Sequence, residues 1–280
     1  MRKIKFITDS TTDMPQSLFK QFDIDVVPLH VLLGEDDHLD DGGLKNEDLV
    51  KFADETGILP KSAAVNEFQF TEVFSKWIDK GFDIFCITLS SELSATYQAA
   101  MSAAQKFDAD RICVVDSQNV SSGTAMLLLE ACDMAQAGAS LSDITEHVLS
   151  LRDKINLRFI VDTLKYLYMG GRCSKLASIM GSSLKIKPIL EVKGGKIVPG
   201  DKLRGSNYIN KYYDYVMQNV ETIDPKRIFV THCMFDGVDE LKKRLEEDFG
   251  FNNVLISDTS ATISTHCGPG TVGILYLNKQ

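Results

Sequence analysis

Two near-continuous apolar runs constrain this chain more than any other feature: Ile84-Phe85-Cys86-Ile87-Thr88-Leu89 and Ile112-Cys113-Val114-Val115. Neither shows the in-out alternation of a strand with one face in water. A strand apolar on both faces must be covered on both, which is the setting of a parallel sheet flanked by helices. The neighbouring segments agree. Residues 4–8 read as a short β-rich strand, and residues 67–80 as a helix with Phe70, Val73, Phe74 and Trp77 at helical spacing. Residues 94–107 and 121–137 read as further helices. Such alternation implies right-handed crossovers and an α/β domain.

Beyond about residue 150 the texture changes. Residues 142–154 read as a helix leading to a strand at 158–161. Strands at 186–192 and 196–198 flank Gly194-Gly195, a hairpin signal absent from the first half. Helices at 207–219 and 238–249 alternate with strands at 228–232, 254–257 and 273–277. The expected architecture is therefore α/β with two domains, residues 1–157 on a parallel sheet and 158–280 on a mixed sheet. Within the first half, Pro28 marks a strand at 25–31 as an edge or an irregular one. Residues 36–43 read as an acidic loop before a helix that starts at Lys45.

Charge and composition narrow the function. A net charge of −9 argues against nucleic acid, whose binding needs a basic footprint to displace counterions. No run approaches the roughly 18 apolar residues of a membrane helix, and the apolar start at Ile4 stops at Asp9 with no signal-like core. A cytoplasmic location is expected. Basic residues crowd residues 152–211, where Arg152, Arg158, Arg172 and Arg204 join nine lysines against four acids. Such a surplus is either a solvated surface or a docking face for an acidic or phosphate-bearing partner. The six cysteines form no Cys-x-x-Cys pair and are expected reduced and buried. No metal site is expected, because His232-Cys233 and His266-Cys267, read as strand neighbours, point to opposite faces.

Polar clusters follow three of the strands: Asp9-Ser10-Thr11-Thr12, Ser90 to Tyr97, and Asp116-Ser117-Gln118-Asn119. In an open parallel sheet ligands sit beyond the carboxyl ends of strands, where helix amides favour an anion. Ser94 is placed to be a helix N-cap or a ligand contact. His266 precedes Gly268-Pro269-Gly270 and is an anion donor, a base or a structural histidine. Arg172 follows a Gly pair and either caps helix-end carbonyls or reaches a phosphate or partner. No Gly-x-Ser-x-Gly elbow, Walker A pattern or Gly-x-Gly-x-x-Gly fingerprint is present, so nucleotide binding is poorly supported.

Taken together, these segments resemble the DegV family of bacterial fatty-acid-binding proteins along the whole chain. Thr8-Asp9-Ser10-Thr11, the segment from Ser90 to Gln98, Asp162 to Arg172, Lys187-Pro188-Ile189-Leu190 and His266-x-Gly268-Pro269-Gly270 match family motifs in the family's order. The resemblance implies two α/β domains with a long-chain fatty acid between or within them. It implies carboxylate contacts from Ser62, Ser94 and His266, and a separate ATP-dependent kinase that phosphorylates the presented carboxylate. Arg172 and Arg204 look like family arginines near the phosphotransfer or docking surface. Ser62 stands where the family has Thr and keeps the hydroxyl, but Ala63-Ala64-Val65 replaces the following Ser-Gln-Pro. Ala95 replaces a usual Gly. On this reading the protein is a carrier without catalytic residues, metal or cofactor; the alternative is a lipid hydrolase or acyltransferase using Ser94 and His266. Burying about 14 methylenes yields roughly 11 kcal/mol before binding entropy, and an unpaired buried carboxylate would erase much of that.

Overall fold

A computed structural model describes residues 2–173 and 186–279. Lys175 and Lys185 of the basic stretch lie outside the described residues. The two apolar runs form β6 (Asp83–Thr88) and β7 (Ile112–Asp116). With β1 (Ile4–Asp9) and β2 (Ile24–Val27) they make a parallel sheet in the order β2-β1-β6-β7. Ile84 to Ile87 are fully buried because helices cover both faces. On one face, α3 (Glu67–Ile78) and α4 (Thr96–Ala104) place Phe70, Phe74, Ala100 and Ala103 against Ile7, Ile84 and Cys86. The other face carries α5 (Ser122–Gln136) and α6 (Leu141–Leu151).

The expected strand at 25–31 is broken. Pro28 has no amide to give a ladder, so β2 ends at Val27 on the sheet edge and β3 (His30–Leu33) joins a different sheet. That sheet is antiparallel, ordered β4-β3-β5, with β4 (Asp36–Leu39) and β5 (Lys61–Ala63). The segment read as an acidic loop thus begins with a strand. After it come α2 (Asn46–Thr56) and, at its end, Gly57 in the left-handed conformation. Upstream, α1 (Gln16–Gln21) follows Pro15.

The second half is a six-stranded mixed sheet, ordered β10-β9-β8-β13-β11-β12. Its strands are β8 (Ile155–Ile160), β9 (Ile186–Lys193), β10 (Lys196–Arg204), β11 (Ile223–Cys233), β12 (Val254–Asp258) and β13 (Thr271–Asn278). All of β8 belongs to this sheet, so the change of sheet falls at Ile155 and residue 157 lies inside a strand. One face packs on α8 (Tyr208–Met217) and α9 (Val238–Phe249) through Tyr212, Val216, Leu241 and Leu245. The other face meets α5, whose residues from Ser122 to Cys132 are all buried between the two sheets. The layers run helix, parallel sheet, helix, mixed sheet, helix. Two further short helices lie among the described residues: α7 (Lys165–Met169) and α10 (Ala261–Cys267). No helix among the described residues is long and apolar enough to cross a membrane.

One buried side chain ties the last layer together. The Tyr212 hydroxyl donates to the Arg158 carbonyl at 2.7 Å and accepts from the Ile274 amide at 2.7 Å, joining α8 to β8 and β13. Tyr212→Phe leaves both backbone groups unsatisfied where water cannot replace the hydroxyl. Urea unfolding followed by circular dichroism should show a loss of about 1–3 kcal/mol, and an unchanged midpoint would contradict this bridging role.

Candidate functional site

The antiparallel sheet, the mixed sheet and the loop after β6 contribute to one largely apolar cavity of about 260 Å³. Leu89, Leu93 and Ser94 enter from the loop after β6, Leu157 and Phe159 from β8, and Ser62 from β5. The last wall is α10, which supplies Thr262, Ile263 and His266. The position of α10 is set by groups from the first half of the chain. Ser260 caps it, accepting the Ile263 amide. Asp13 accepts the Ser260 amide at 2.8 Å, and the two oxygens of Asp40 accept the amides of Ala261 and Thr262 at 3.1 Å each. These are the otherwise orphaned donors of a helix start, where negative charge is favoured. Burial, helped by the nearby Asp40 charge and opposed by the Ser121 and Ser260 bonds, holds the Asp13 carboxyl well above the usual carboxylate range.

At its other end α10 stops at Gly268, which has φ +73°. A Cβ there would lie 2.4 Å from the Tyr166 ring, so glycine is needed for both the turn and the contact. His266-Cys267, read as strand neighbours, thus sit on a helix that runs into a turn at Gly268. His232-Cys233 do lie on β11, where His232 pairs with Asp258 at 3.2 Å. Among the described residues no group of three or more His, Cys, Asp or Glu is arranged to hold a metal ion.

The three carboxylate candidates line the same cavity. Ser62 Oγ and His266 Nε2 share a hydrogen bond of 2.8 Å across a separation of 204 residues. Ser94 is not the N-cap of α4, a position held by Ala95. Its hydroxyl lies 3.0 Å from Thr96 Oγ1 and accepts the Thr96 amide at 3.3 Å. Burial and then the Arg172 charge push the His266 imidazole down to about 4, so it is neutral at pH 7. His266 Nδ1 has no hydrogen-bond partner and packs against Gly170, where a Cβ would come within 2.4 Å of it.

The two arginines separate. Arg172 is half-buried and lines the cavity, with Nη1 donating to the Gly170 carbonyl at 2.7 Å and Nε to the Leu93 carbonyl at 3.4 Å. Arg204 ends β10, is exposed, and does not line the cavity. The strand-end clusters separate as well. Asp9 serves its own turn, accepting the Thr11 amide and hydroxyl and the Leu89 amide; burial lifts its carboxyl to about 6. Asp116 accepts from Ser91 and from the Gln118 amide. Neither lines the cavity. Thr262 is one lining residue that sequence reading missed; its spacing of four from His266 was the available signal, meaningful only on a helix.

Fold and site define an α/β protein of three sheets with an apolar cavity carrying a hydroxyl–imidazole pair. The chain belongs to the DegV family: the family model, described as "Uncharacterised protein, DegV family", matches residues 3–279. It is 31% identical over 280 residues to a DegV domain-containing protein of Clostridium acetobutylicum, covering 100% of both chains. A second, from Caldanaerobacter subterraneus, is 33% identical over 282 residues, again covering 100% of both. Among solved structures, the chain is similar to a DegV family protein from Thermus thermophilus described for fatty acid binding, with TM-score 0.89, 28% identity and 100% of both chains covered. It is also similar to DegV of Bacillus subtilis, described as a fatty acid binding protein, with TM-score 0.86, 25% identity and 100% of both chains covered.

The depressed His266 has a measurable consequence. Its folded value near 4 lies below the ordinary 6.5, so between these values the folded chain binds fewer protons at this site than the unfolded chain does. The contribution is present in full above 6.5 and is lost as pH falls toward 4, on the order of 3 kcal/mol. Asp9, raised from 3.8 to about 6, acts in the opposite sense, so the test must isolate His266. Urea unfolding of the wild type and of His266→Gln between pH 7 and 4 should show the wild type losing stability relative to the variant. A pH-independent difference would contradict the assignment.

Proposed function

We propose that this protein binds a long-chain fatty acid, holding the carboxylate with Ser62, Ser94 and His266 and burying the acyl chain in the cavity between the two sheets. The observation that carries the proposal is the Ser62–His266 contact of 2.8 Å inside largely apolar walls. One carboxylate oxygen set against this pair can replace their mutual bond and accept from both, and Ser94 adds a further hydroxyl on the same cavity. A neutral imidazole suits this work, since it offers an N–H without a second buried charge to desolvate. Arg172 supplies the positive potential that a carboxylate at this end requires. Fatty acid binding by the Thermus thermophilus and Bacillus subtilis relatives supports the same reading.

The family resemblance supports a further step in which a separate ATP-dependent kinase phosphorylates the presented carboxylate in the cytoplasm. Arg172, beside the cavity, and Arg204, exposed at the end of β10, are the residues assigned to the phosphate or to the docking kinase. Next to Arg172, α7 exposes Tyr168 and Met169, which suits a face met by another protein. The carrier needs no catalytic group, metal or cofactor of its own for this.

A hydrolase or acyltransferase would need His266 as the base for Ser94. His266 instead faces Ser62, its Nδ1 has no carboxylate to orient it, and its low pKa opposes proton uptake. The carrier reading is therefore preferred. Native mass spectrometry after mild purification should show wild-type protein with an added mass matching a long-chain acid. The Ser94→Ala/His266→Ala protein should lack it while keeping the wild-type far-ultraviolet spectrum. Undiminished binding in the variant would overturn the head-group assignment, and turnover of acyl esters by the purified chain would favour the enzyme.

A further inference from the structure

Among the described residues seven hydroxyl side chains line the cavity, and six of them are already engaged. Ser62 is bonded to His266 and Ser94 to Thr96. Ser121 donates to Asp13, Thr231 pairs with Ser122, Thr259 with Ser264, and Thr271 donates to the carbonyls of Cys267 and Gly268. Thr262 is the exception. The residue is 3% exposed, and among the described residues its Oγ1 has no hydrogen-bond partner.

Local helix geometry explains why the hydroxyl stays unused. A threonine inside a helix can donate to the carbonyl one turn back, as Thr265 does to Ala261 at 2.9 Å. Thr262 is the second residue of α10, so no helical carbonyl lies one turn behind it. Its backbone amide is tied to Asp40 at 3.1 Å, which fixes the residue without engaging the side chain. A buried hydroxyl without a partner is a net cost to folding, and valine would fill the same space without it. Thr262 and His266 stand four residues apart on one face of α10, and such pairs have Cβ atoms about 5–6 Å apart. The two oxygens of one carboxylate can span donors at that separation.

We infer that Thr262 is a fourth head-group residue, its hydroxyl donating to the carboxylate oxygen not held by Ser62 and His266. The inference rests on the fatty-acid reading above. It makes the site selective for a head group with two oxygens over one with a single oxygen.

The test compares hexadecanoic acid with hexadecan-1-ol, by calorimetry or probe displacement, on the full chain freed of bound lipid. Thr262→Val should weaken the acid about ten- to a hundredfold, the size of one lost hydrogen bond to a charged group. It should leave the alcohol within about twofold, and Thr262→Ser should restore acid binding. Melting temperature should be unchanged or higher in Thr262→Val, because no bond within the folded protein is removed. Equal acid affinity in wild type and Thr262→Val overturns the inference while leaving fatty acid binding intact. Equal weakening of acid and alcohol also overturns it, since that marks a change in wall packing. Wild-type protein that binds no hexadecanoic acid overturns the fatty-acid reading itself, and this inference with it.

Discussion

The grip of Asp13 and Asp40 on the first turn of α10 is the constraint from which the site follows. Asp13 lies beyond the end of β1 and Asp40 just after β4, so both come from the first half of the chain, whereas α10 comes from the second. A seven-residue helix has little stability of its own, and half its backbone donors are unpaired without outside help. Two buried carboxylates supply that help and place His266 within reach of Ser62. Their burial is tolerable because each is surrounded by donors, among them Ser121 for Asp13 and Ser10 for Asp40. The polar atoms of the cavity are therefore held by a polar network behind the wall.

Helix α5 performs the complementary task on the apolar side. It is sandwiched between the parallel and mixed sheets, and its core includes Phe85 and Val115 from one and Leu157, Phe159 and Leu275 from the other. The two halves consequently share one apolar interior. Leu157, Phe159 and Leu275 are at once part of that interior and part of the cavity wall, so a chain lying in the cavity would extend the core.

Much of this was legible from the residues. The runs at 83–89 and 111–116 became β6 and β7 because a strand covered on both faces needs no alternation. Pro28 correctly flagged trouble in its strand, but the resulting switch to a second sheet depends on where β3 finds its partners, β4 and β5. Ser62 sits on a strand of only three residues, too short to show any period, and was reachable only through family resemblance. Most obscure was α10. Thr262, Ile263 and Thr265 are β-branched and Gly268-Pro269-Gly270 follows at once, so local preference points to a turn. The groups that make it helical, Asp13 and Asp40, lie more than 200 residues away. The mixed sheet was visible from the Gly194-Gly195 hairpin, whereas residue 157 fell inside β8 because its first residues lack a turn signal before them.

The separation of 204 residues between Ser62 and His266 has a consequence for how the chain acquires its site. Closing so long a loop is entropically unfavourable until the intervening sheets have formed, which places this contact late in any order of assembly. Neither half alone contains both groups, so a partly folded chain lacks the hydroxyl–imidazole pair. On the proposed function, a fatty acid held by this pair would stabilise the finished topology by mass action over incomplete forms. The pair thus exists only in the assembled polypeptide, because it joins residues drawn from nearly opposite ends of the sequence.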